Sequence, residues 1–440
     1  MVDPPPRTIA ARIAATGGRT SGFDYLRIGL AVSIVLWHSI STSYGSAFEL
    51  VIWRGPLGLV MHFVLPMFFA LSGFLVAGSL DRCASLISFF ALRALRIVPA
   101  LAVEITLSAL LFGPMLSRLP VAAYFAAPEF RAYFLNIVGD IHYLLPGVFA
   151  ANPLPHTVNA QLWTVPFELQ CYAALGALAV VGLVRRRRWL LAFTLLAQAL
   201  WIAQALKLGD DGSSNGASGP VLVISFLVGL LFHLYRDRIV LARRWFWLSL
   251  VGGLALSALP HGAYYLPLPA CYLTVWLGLC DPPKRGFIFR GDYSYGLYLF
   301  GFPIQQVVAS FGPALHHWYL NAAIAVPVGL SVAALSWHLI EKPALAQRRR
   351  IPALERRLLA LRPQALLPEG LGALASGAAI VASGVMGVLA LVDAHERLGL
   401  LAILACLVLA ALPLRPALAA ALVQSSGRGG RLTGSFKDRG

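Results

Sequence analysis

The sequence predicts an all-α polytopic membrane protein with about ten spanning helices, because both its composition and its apolar runs point to this fold class. Of the 440 residues, 58% are hydrophobic and only 12% are charged, whereas about a quarter of the residues in a soluble globular domain carry charge. A membrane helix needs about twenty consecutive apolar residues, and ten runs come close to that length. These runs lie near residues 26–44, 57–79, 96–113, 162–184, 189–207, 219–235, 245–260, 262–280, 292–311 and 320–340.

Basic residues are distributed unevenly between the connections of these runs. If the first helix crosses from inside to outside, most lysines and arginines fall in inside connections, and the outside connections hold only Arg54, Arg118 and Arg131. Cytoplasmic loops carry such an excess, so we expect a multi-pass protein with a cytoplasmic N-terminus. The net charge of +16 reflects this distribution. It does not indicate a nucleic-acid partner, which would need a basic patch on a water-exposed fold.

Changes in composition divide the chain into five predicted segments. Residues 1–22, with several prolines and arginines, are expected to form a loose cytoplasmic leader, and residues 23–345 the ten-helix membrane domain. A basic linker is predicted over 346–369 and two additional apolar membrane helices over 370–424. The Gly-rich basic tail over 425–440 is expected to be disordered.

The first span carries three ionisable residues, Asp24, Arg27 and His38, in the run FDYLRIGLAVSIVLWHS. Arg27 and His38 fall on nearly the same helix face, about 16 Å apart. A charge near the middle of a membrane helix costs about 2.5 to 3.5 kcal/mol, so this face is predicted to line a reaction site inside the protein. Two alternatives stay open. Asp24 and Arg27 could serve as helix cap and membrane anchor, and His38 could be a buried histidine bonded to a neighbouring helix.

Two arginines stand one helical turn apart in the run RALRIVP, at the inner end of the third span. The guanidinium groups of Arg93 and Arg96 could converge on one phosphate or pyrophosphate group. The alternative is that both are ordinary anchors at the cytoplasmic membrane surface.

Glu168 lies in the run QLWTVPFELQCY, inside the fourth apolar span, and has no lysine or arginine near it in sequence. A buried carboxylate needs a cationic or hydrogen-bonding partner, and His38 is predicted to lie at a similar depth. A histidine oriented by a carboxylate can act as general base toward a hydroxyl group, so His38 and Glu168 are the predicted catalytic pair. An interhelical contact that only holds the bundle together is the alternative.

Other features are assigned to substrate or to packing. Asp24, Trp163 and Tyr295 are predicted to contact substrate. The long outside connection over 114–161 is predicted to form a lid or substrate platform, with an interfacial amphipathic segment as the alternative. Five cysteines without metal-ligand spacing give no reason to expect a metal site.

Six motifs in order resemble those of the acyltransferase-3 family of bacterial membrane O-acyltransferases: FDYLR…LWHS, FFALSGF, RALRIVP, LWTVPFELQCY, GDYSYGLYLFGFP and WHLIEKP. The resemblance covers about residues 21–345. It implies a ten-helix acyltransferase bundle in the bacterial inner membrane. It also implies transfer of an acyl group, such as acetyl, from cytoplasmic acyl-CoA to a hydroxyl group of a carbohydrate or glycolipid acceptor. Acyl-CoA is then a co-substrate, and no permanently bound cofactor is expected.

The resemblance also assigns roles to individual residues. The essential histidine of the family falls on His38 and its fourth-helix glutamate on Glu168. The first-helix arginine falls on Arg27 and the arginine pair of the third helix on Arg93 and Arg96, which are predicted to bind acyl-CoA. Direct transfer and a transient acyl-histidine fit the residues equally well.

The chain departs from the family pattern in two places. Tyr25 and Ile28 stand where the family often has glycines, and Gly301 stands where the family often has a histidine in the ninth helix. A transporter or flippase of a glycan or glycolipid is the alternative function, because intramembrane charges also mark transport pathways.

Overall fold

The computed structural model describes residues 7–18, 20–83, 85–208 and 218–353. Ten α-helices of at least 12 residues follow one another in these ranges, each over one of the predicted apolar runs. They are α1 (Gly22–Tyr44), α2 (Val64–Arg82), α3 (Leu86–Leu107), α4 (Val165–Val180), α5 (Arg187–Leu208), α6 (Gly219–Leu234), α7 (Arg243–Ser257), α8 (Pro267–Gly278), α9 (Ser294–Ser310) and α10 (Trp318–Ser336).

Five stretches of this helical chain are long and apolar enough to cross a membrane. They are Gly22–Tyr44, Pro56–Arg82, Leu86–Leu116, Arg187–Lys207 and Trp318–Ala353. Helix α6 is apolar but shorter. Many large apolar side chains on the helix surfaces are exposed, such as Leu195, Val251 and Leu339, as expected where lipid covers them. The fold is therefore an all-α, multi-pass membrane protein, as the composition predicts.

Small residues bring α2 and α6 into close contact. A Cβ atom added to Gly73 of α2 would collide with the backbone oxygen of Phe226 in α6, and one added to Gly229 of α6 would collide with that of Ala70 in α2. Helices associate closely in membranes where small residues let their backbones approach. The run PMFFALSGFLVAG therefore acts in packing, and it forms one wall of the central cavity described below.

The connection over 114–161 contains short helices, at Val121–Ala126, Pro128–Tyr133 and Phe134–Val138. Tyr124 and Tyr133 are fully buried, and the Tyr124 hydroxyl donates to the backbone oxygen of Ala109 at 2.7 Å. These two aromatic residues thus pack inside the protein, whereas the amphipathic alternative placed them at the membrane surface. The role of the connection as a lid stays a prediction.

The structure describes part of the leader and part of the linker. Within the leader, Arg7–Thr8 pairs antiparallel with Val240–Leu241 and is followed by the helix Ile9–Ala15. Ile9 is fully buried, so the start of this helix packs against the rest of the protein. The first part of the linker is also helical, up to residue 353. The rest of the linker, the two additional apolar helices and the tail lie outside the described residues.

Candidate active site

Two neighbouring cavities lie between the helices that carry the predicted site residues. The larger, of about 390 Å³, is lined by Arg27, Arg82, Arg93 and Arg96 and by Glu168, and is called here the arginine cavity. The smaller, of about 170 Å³, is lined by His38 and is called the histidine cavity. Arg27 stands near the start of α1 and His38 near its end, so one helix connects the two cavities.

Arg96 is held between two carboxylates. Its Nη2 lies 2.7 Å from Oδ2 of Asp292, and its Nη1 lies 2.7 Å from Oε2 of Glu341. Asp292 lies two residues before α9, and Glu341 ends a π-helical turn, Trp337–Glu341, that continues α10. Because Glu341 is 1% exposed, its charge depends on Arg96 for compensation. Arg96 therefore ties α3 to α9 and α10.

Arg27 is engaged in a similar way. Its Nη1 lies 3.3 Å from Oδ2 of Asp292 and 3.9 Å from Oδ1 of Asp24. Asp292 thus bridges Arg27 and Arg96 with one carboxylate oxygen. Asp24 does not line either cavity; its side chain is half exposed, and it lies in a surface recess with Lys284.

Arg93 differs from these two arginines because no carboxylate of the described chain lies within 4 Å of it. Its Nη2 donates a long hydrogen bond of 3.4 Å to Ser79 Oγ, its guanidinium carbon lies 5.9 Å from the ring centre of Tyr172, and its buried Nε has no hydrogen-bond partner in the described residues. The predicted convergence of Arg93 and Arg96 on one anion is therefore only half present. Both side chains line the arginine cavity, but Arg96 is already neutralised, whereas Arg93 is available to an anionic ligand.

Glu168 lines the arginine cavity from α4. The Tyr172 hydroxyl donates to its Oε1 at 2.5 Å, and the charges of Arg96 and Arg93 act on the carboxylate. No hydrogen bond joins Glu168 to His38 in the part of the chain that the structure describes. The predicted direct pair of His38 and Glu168 is thus not formed, because the two side chains line different cavities.

His38 lies against Phe302 of α9, with ring centres 5.2 Å apart in an edge-to-face arrangement. Its Nδ1 is buried and has no hydrogen-bond partner among the described residues. Nε2 is then the ring nitrogen available to a ligand in the histidine cavity. No neighbouring helix holds the imidazole through a hydrogen bond in the described chain, so the alternative of a satisfied interior histidine does not fit.

A thin partition separates the two cavities. Leu65 and Tyr298 line both of them. The Tyr298 hydroxyl lies 2.5 Å from Thr164 Oγ1 and donates to the backbone oxygen of Gln161 at 3.0 Å. The two cavities are therefore adjacent, with Leu65 and Tyr298 between them.

The other predicted substrate residues line one cavity each. Trp163 lines the histidine cavity. Tyr295 lines the arginine cavity, its ring lies 5.3 Å from the guanidinium carbon of Arg96, and its hydroxyl donates to the backbone oxygen of Ile97 at 3.1 Å. Their roles toward substrate stay predictions.

Comparison with known proteins identifies the family to which the chain belongs. A family model described as an acyltransferase domain, that of the acyltransferase-3 family, matches residues 20–341. The chain belongs to the acyltransferase-3 family. Two curated relatives match most of this chain. An O-acetyl transferase of Shigella phage Sf6 is 28% identical over 340 residues, which cover 75% of this chain and 97% of the relative. Nodulation protein 10 of Rhizobium leguminosarum bv. viciae is 30% identical over 367 residues, covering 76% and 95%. No solved structure matches the chain.

This acyltransferase-3 protein is therefore an O-acyltransferase, and not the transporter considered as an alternative. Helix packing explains why glycine stands at position 301, where the family often has a histidine. A Cβ added there would lie 2.8 Å from Cγ2 of Val35 in α1, so α9 packs directly on the helix that carries His38.

Three acidic residues of the site, Asp292, Glu341 and Glu49, are not among the residues predicted from the sequence. Each lies at or beside an apolar run, where acidic side chains are rare and often functional. The sequence therefore marks them as candidates, but the arginine that pairs with Asp292 and Glu341 is distant from both in sequence. Glu49 lines the histidine cavity with His38.

Proposed function

We propose that this O-acyltransferase transfers an acetyl group from cytoplasmic acetyl-CoA to a hydroxyl group of a carbohydrate acceptor at the outer side of the bacterial inner membrane. The ten helices α1 to α10 would all cross the membrane, with the N-terminus in the cytoplasm. The arginine-rich end of the bundle would then face the cytoplasm, in agreement with the positive-inside distribution. Acyl-CoA is a co-substrate that leaves as free CoA, so no bound cofactor is needed.

The observation that carries this proposal is the pair of adjacent cavities with different chemistry. An unpaired guanidinium group, Arg93, suits the phosphates of CoA, since charge-assisted hydrogen bonds contribute about 1.5 to 3 kcal/mol each. The apolar wall of Leu65 and Phe68 suits the pantetheine arm. The thioester would reach the partition beside Tyr298, and Leu65 and Tyr298 would move aside to expose it to His38.

His38 would carry out the proton transfer. In the direct route Nε2 accepts the proton of the acceptor hydroxyl group while the oxygen attacks the thioester carbonyl, the C–S bond breaks, and the proton passes to the CoA thiolate. In the two-step route Nε2 attacks the thioester carbonyl, the C–S bond breaks, and CoA leaves as the thiolate. The oxygen of the acceptor hydroxyl group then attacks the acyl-imidazole, the N–C bond breaks, and the hydroxyl proton passes to the CoA thiolate. Glu168, bonded to Tyr172 and not to His38, would act on the donor side of the partition.

The function is tested with purified protein in detergent, acetyl-CoA and a surface glycan extracted from cells that lack the gene. We expect free CoA thiol to accumulate only when both substrates are present, with mass spectrometry showing acetyl esters on the glycan. A protein with His38 replaced by alanine serves as the control for spontaneous transfer. An unmodified glycan together with no thiol release, tested over a panel of bacterial surface glycans, would contradict the proposal.

A further inference from the structure

The histidine cavity combines groups that suit a sugar. Three tryptophans line it, Trp37, Trp53 and Trp163, together with the imidazole of His38 and the carboxylate of Glu49. Flat aromatic faces carry negative potential and attract the slightly positive C–H face of a sugar ring, and a carboxylate accepts hydrogen bonds from hydroxyl groups. With about 170 Å³, the cavity is smaller than the roughly 300 Å³ at the lower end of drug-sized sites. It therefore suits one sugar residue.

The position of Glu49 is set by the chain after α1. Helix α1 ends at Tyr44, Gly45 follows with φ of 85°, and the short helix Ser46–Trp53 returns over the cavity. A left-handed backbone of this kind favours glycine. Glu49 therefore lies outside the spanning helix, at the end of α1 that carries His38 and away from the end that carries Arg27.

The carboxylate of Glu49 lines the cavity without a cationic partner, because no lysine or arginine of the described residues lies within 4 Å. Burial raises the pKa of Glu49 to about 6, although the neighbouring side chains of Trp37 and Ser41 act in the opposite direction. Two carboxylate oxygens have about four acceptor positions, so acceptor capacity remains for a ligand hydroxyl group.

We propose that the histidine cavity is the acceptor subsite and that Glu49 binds a hydroxyl group of the sugar ring, next to the hydroxyl group that faces His38. This rests on the proposed function and adds the location and the recognition of the acceptor. Donor and acceptor then occupy opposite sides of the Leu65 and Tyr298 partition. Glu49 is a binding and positioning residue, and His38 remains the group that touches the reacting atoms.

The test is the variant Glu49→Gln, which keeps the shape of the side chain but removes the charge. We expect the KM for the glycan to rise at least tenfold, while the Kd for acetyl-CoA changes less than twofold. Glu49→Asp should recover part of the affinity for the glycan. Asp237→Asn is the matched control, because Asp237 is exposed and lines neither cavity, and it should leave both constants unchanged.

A second variant keeps the proposal testable if Glu49→Gln does not fold. Trp163→Leu removes an aromatic wall of the cavity and is expected to raise the KM for the glycan about fivefold with an unchanged Kd for acetyl-CoA. A KM for the glycan within twofold of wild type in Glu49→Gln, or in Trp163→Leu where only that variant folds, would overturn the acceptor subsite. If the wild-type protein acetylates no glycan at all, the proposed function fails instead, so the two failures are distinguishable.

Discussion

Replacing His38 by alanine is expected to lower the rate of acyl transfer about a thousandfold while the protein stays folded and inserted in the membrane. A positioned general base contributes about a hundred- to ten-thousandfold to a rate, and His38 is the only histidine of the described chain that lines the histidine cavity. Since its imidazole makes no side-chain hydrogen bond in the described residues, its loss should cost little stability. The rate is measured as acetyl ester formed on the glycan per enzyme, at saturating acetyl-CoA.

The control for this variant is another partly buried histidine at the same end of the bundle. His316 follows α9, and its Nε2 lies 2.9 Å from the backbone oxygen of Ala309, outside both cavities. His316→Ala should keep the wild-type rate within a few fold. Transfer by the His38→Ala protein at more than a tenth of the wild-type rate would show that another group carries the proton or the acyl group.

Arg93→Ala is expected to weaken donor binding and Arg96→Ala to lower the stability of the protein, although the two residues are one helical turn apart. Arg93 has no carboxylate partner in the described residues, so its loss should raise the Kd for acetyl-CoA at least tenfold with little change in thermal stability. Removing Arg96 leaves the carboxylates of Asp292 and Glu341 without their shared cation. Breaking a buried ion pair from one side costs about 3 to 5 kcal/mol, so Arg96→Ala should unfold at a clearly lower temperature.

Both variants are compared in detergent by thermal unfolding and by equilibrium binding of acetyl-CoA. A matched rescue exists for Arg96, because Glu341→Gln removes the charge that Arg96 compensates, whereas Asp292 keeps Arg27 as a partner. The double variant Arg96→Ala with Glu341→Gln should recover part of the lost stability. The roles assigned to the two arginines are contradicted if Arg96→Ala unfolds at the wild-type temperature and only weakens donor binding, while Arg93→Ala binds acetyl-CoA normally.

The helices could be predicted from the sequence because few backbone conformations are stable inside a lipid bilayer. Backbone groups inside a bilayer must be hydrogen bonded within the segment, so an apolar run of sufficient length becomes a helix. The run predicted over 320–340 lies in the stretch Trp318–Ala353, and the run over 26–44 coincides with α1. The contacts of the described part of the leader, such as that of Arg12 Nε with the backbone oxygen of Leu279 at 3.1 Å, could not be predicted because their partners are distant in sequence.

The partners of the site residues could not be predicted from the sequence in the same way. Depth along a helix follows from residue number, and this correctly placed His38 near the end of α1. Whether two side chains at similar depth meet depends on how each helix is rotated about its axis, and an apolar sequence determines this only weakly. His38 and Glu168 therefore face different cavities. Arg96 instead meets Asp292, 196 residues away in sequence, and Glu341, 245 residues away.

The central claim is that the acyl group passes across the partition, from a donor on the cytoplasmic side to an acceptor on the outer side. Sealed, inverted inner-membrane vesicles from cells that make the protein test it most directly, because their cytoplasmic face points outward. Radiolabelled acetyl-CoA is supplied outside, and the label on glycan enclosed in the vesicles is measured after the outer surface has been treated with a glycosidase. The account predicts labelled, protected glycan in wild-type vesicles and none in His38→Ala vesicles. Label found only on glycan that the glycosidase removes would contradict it.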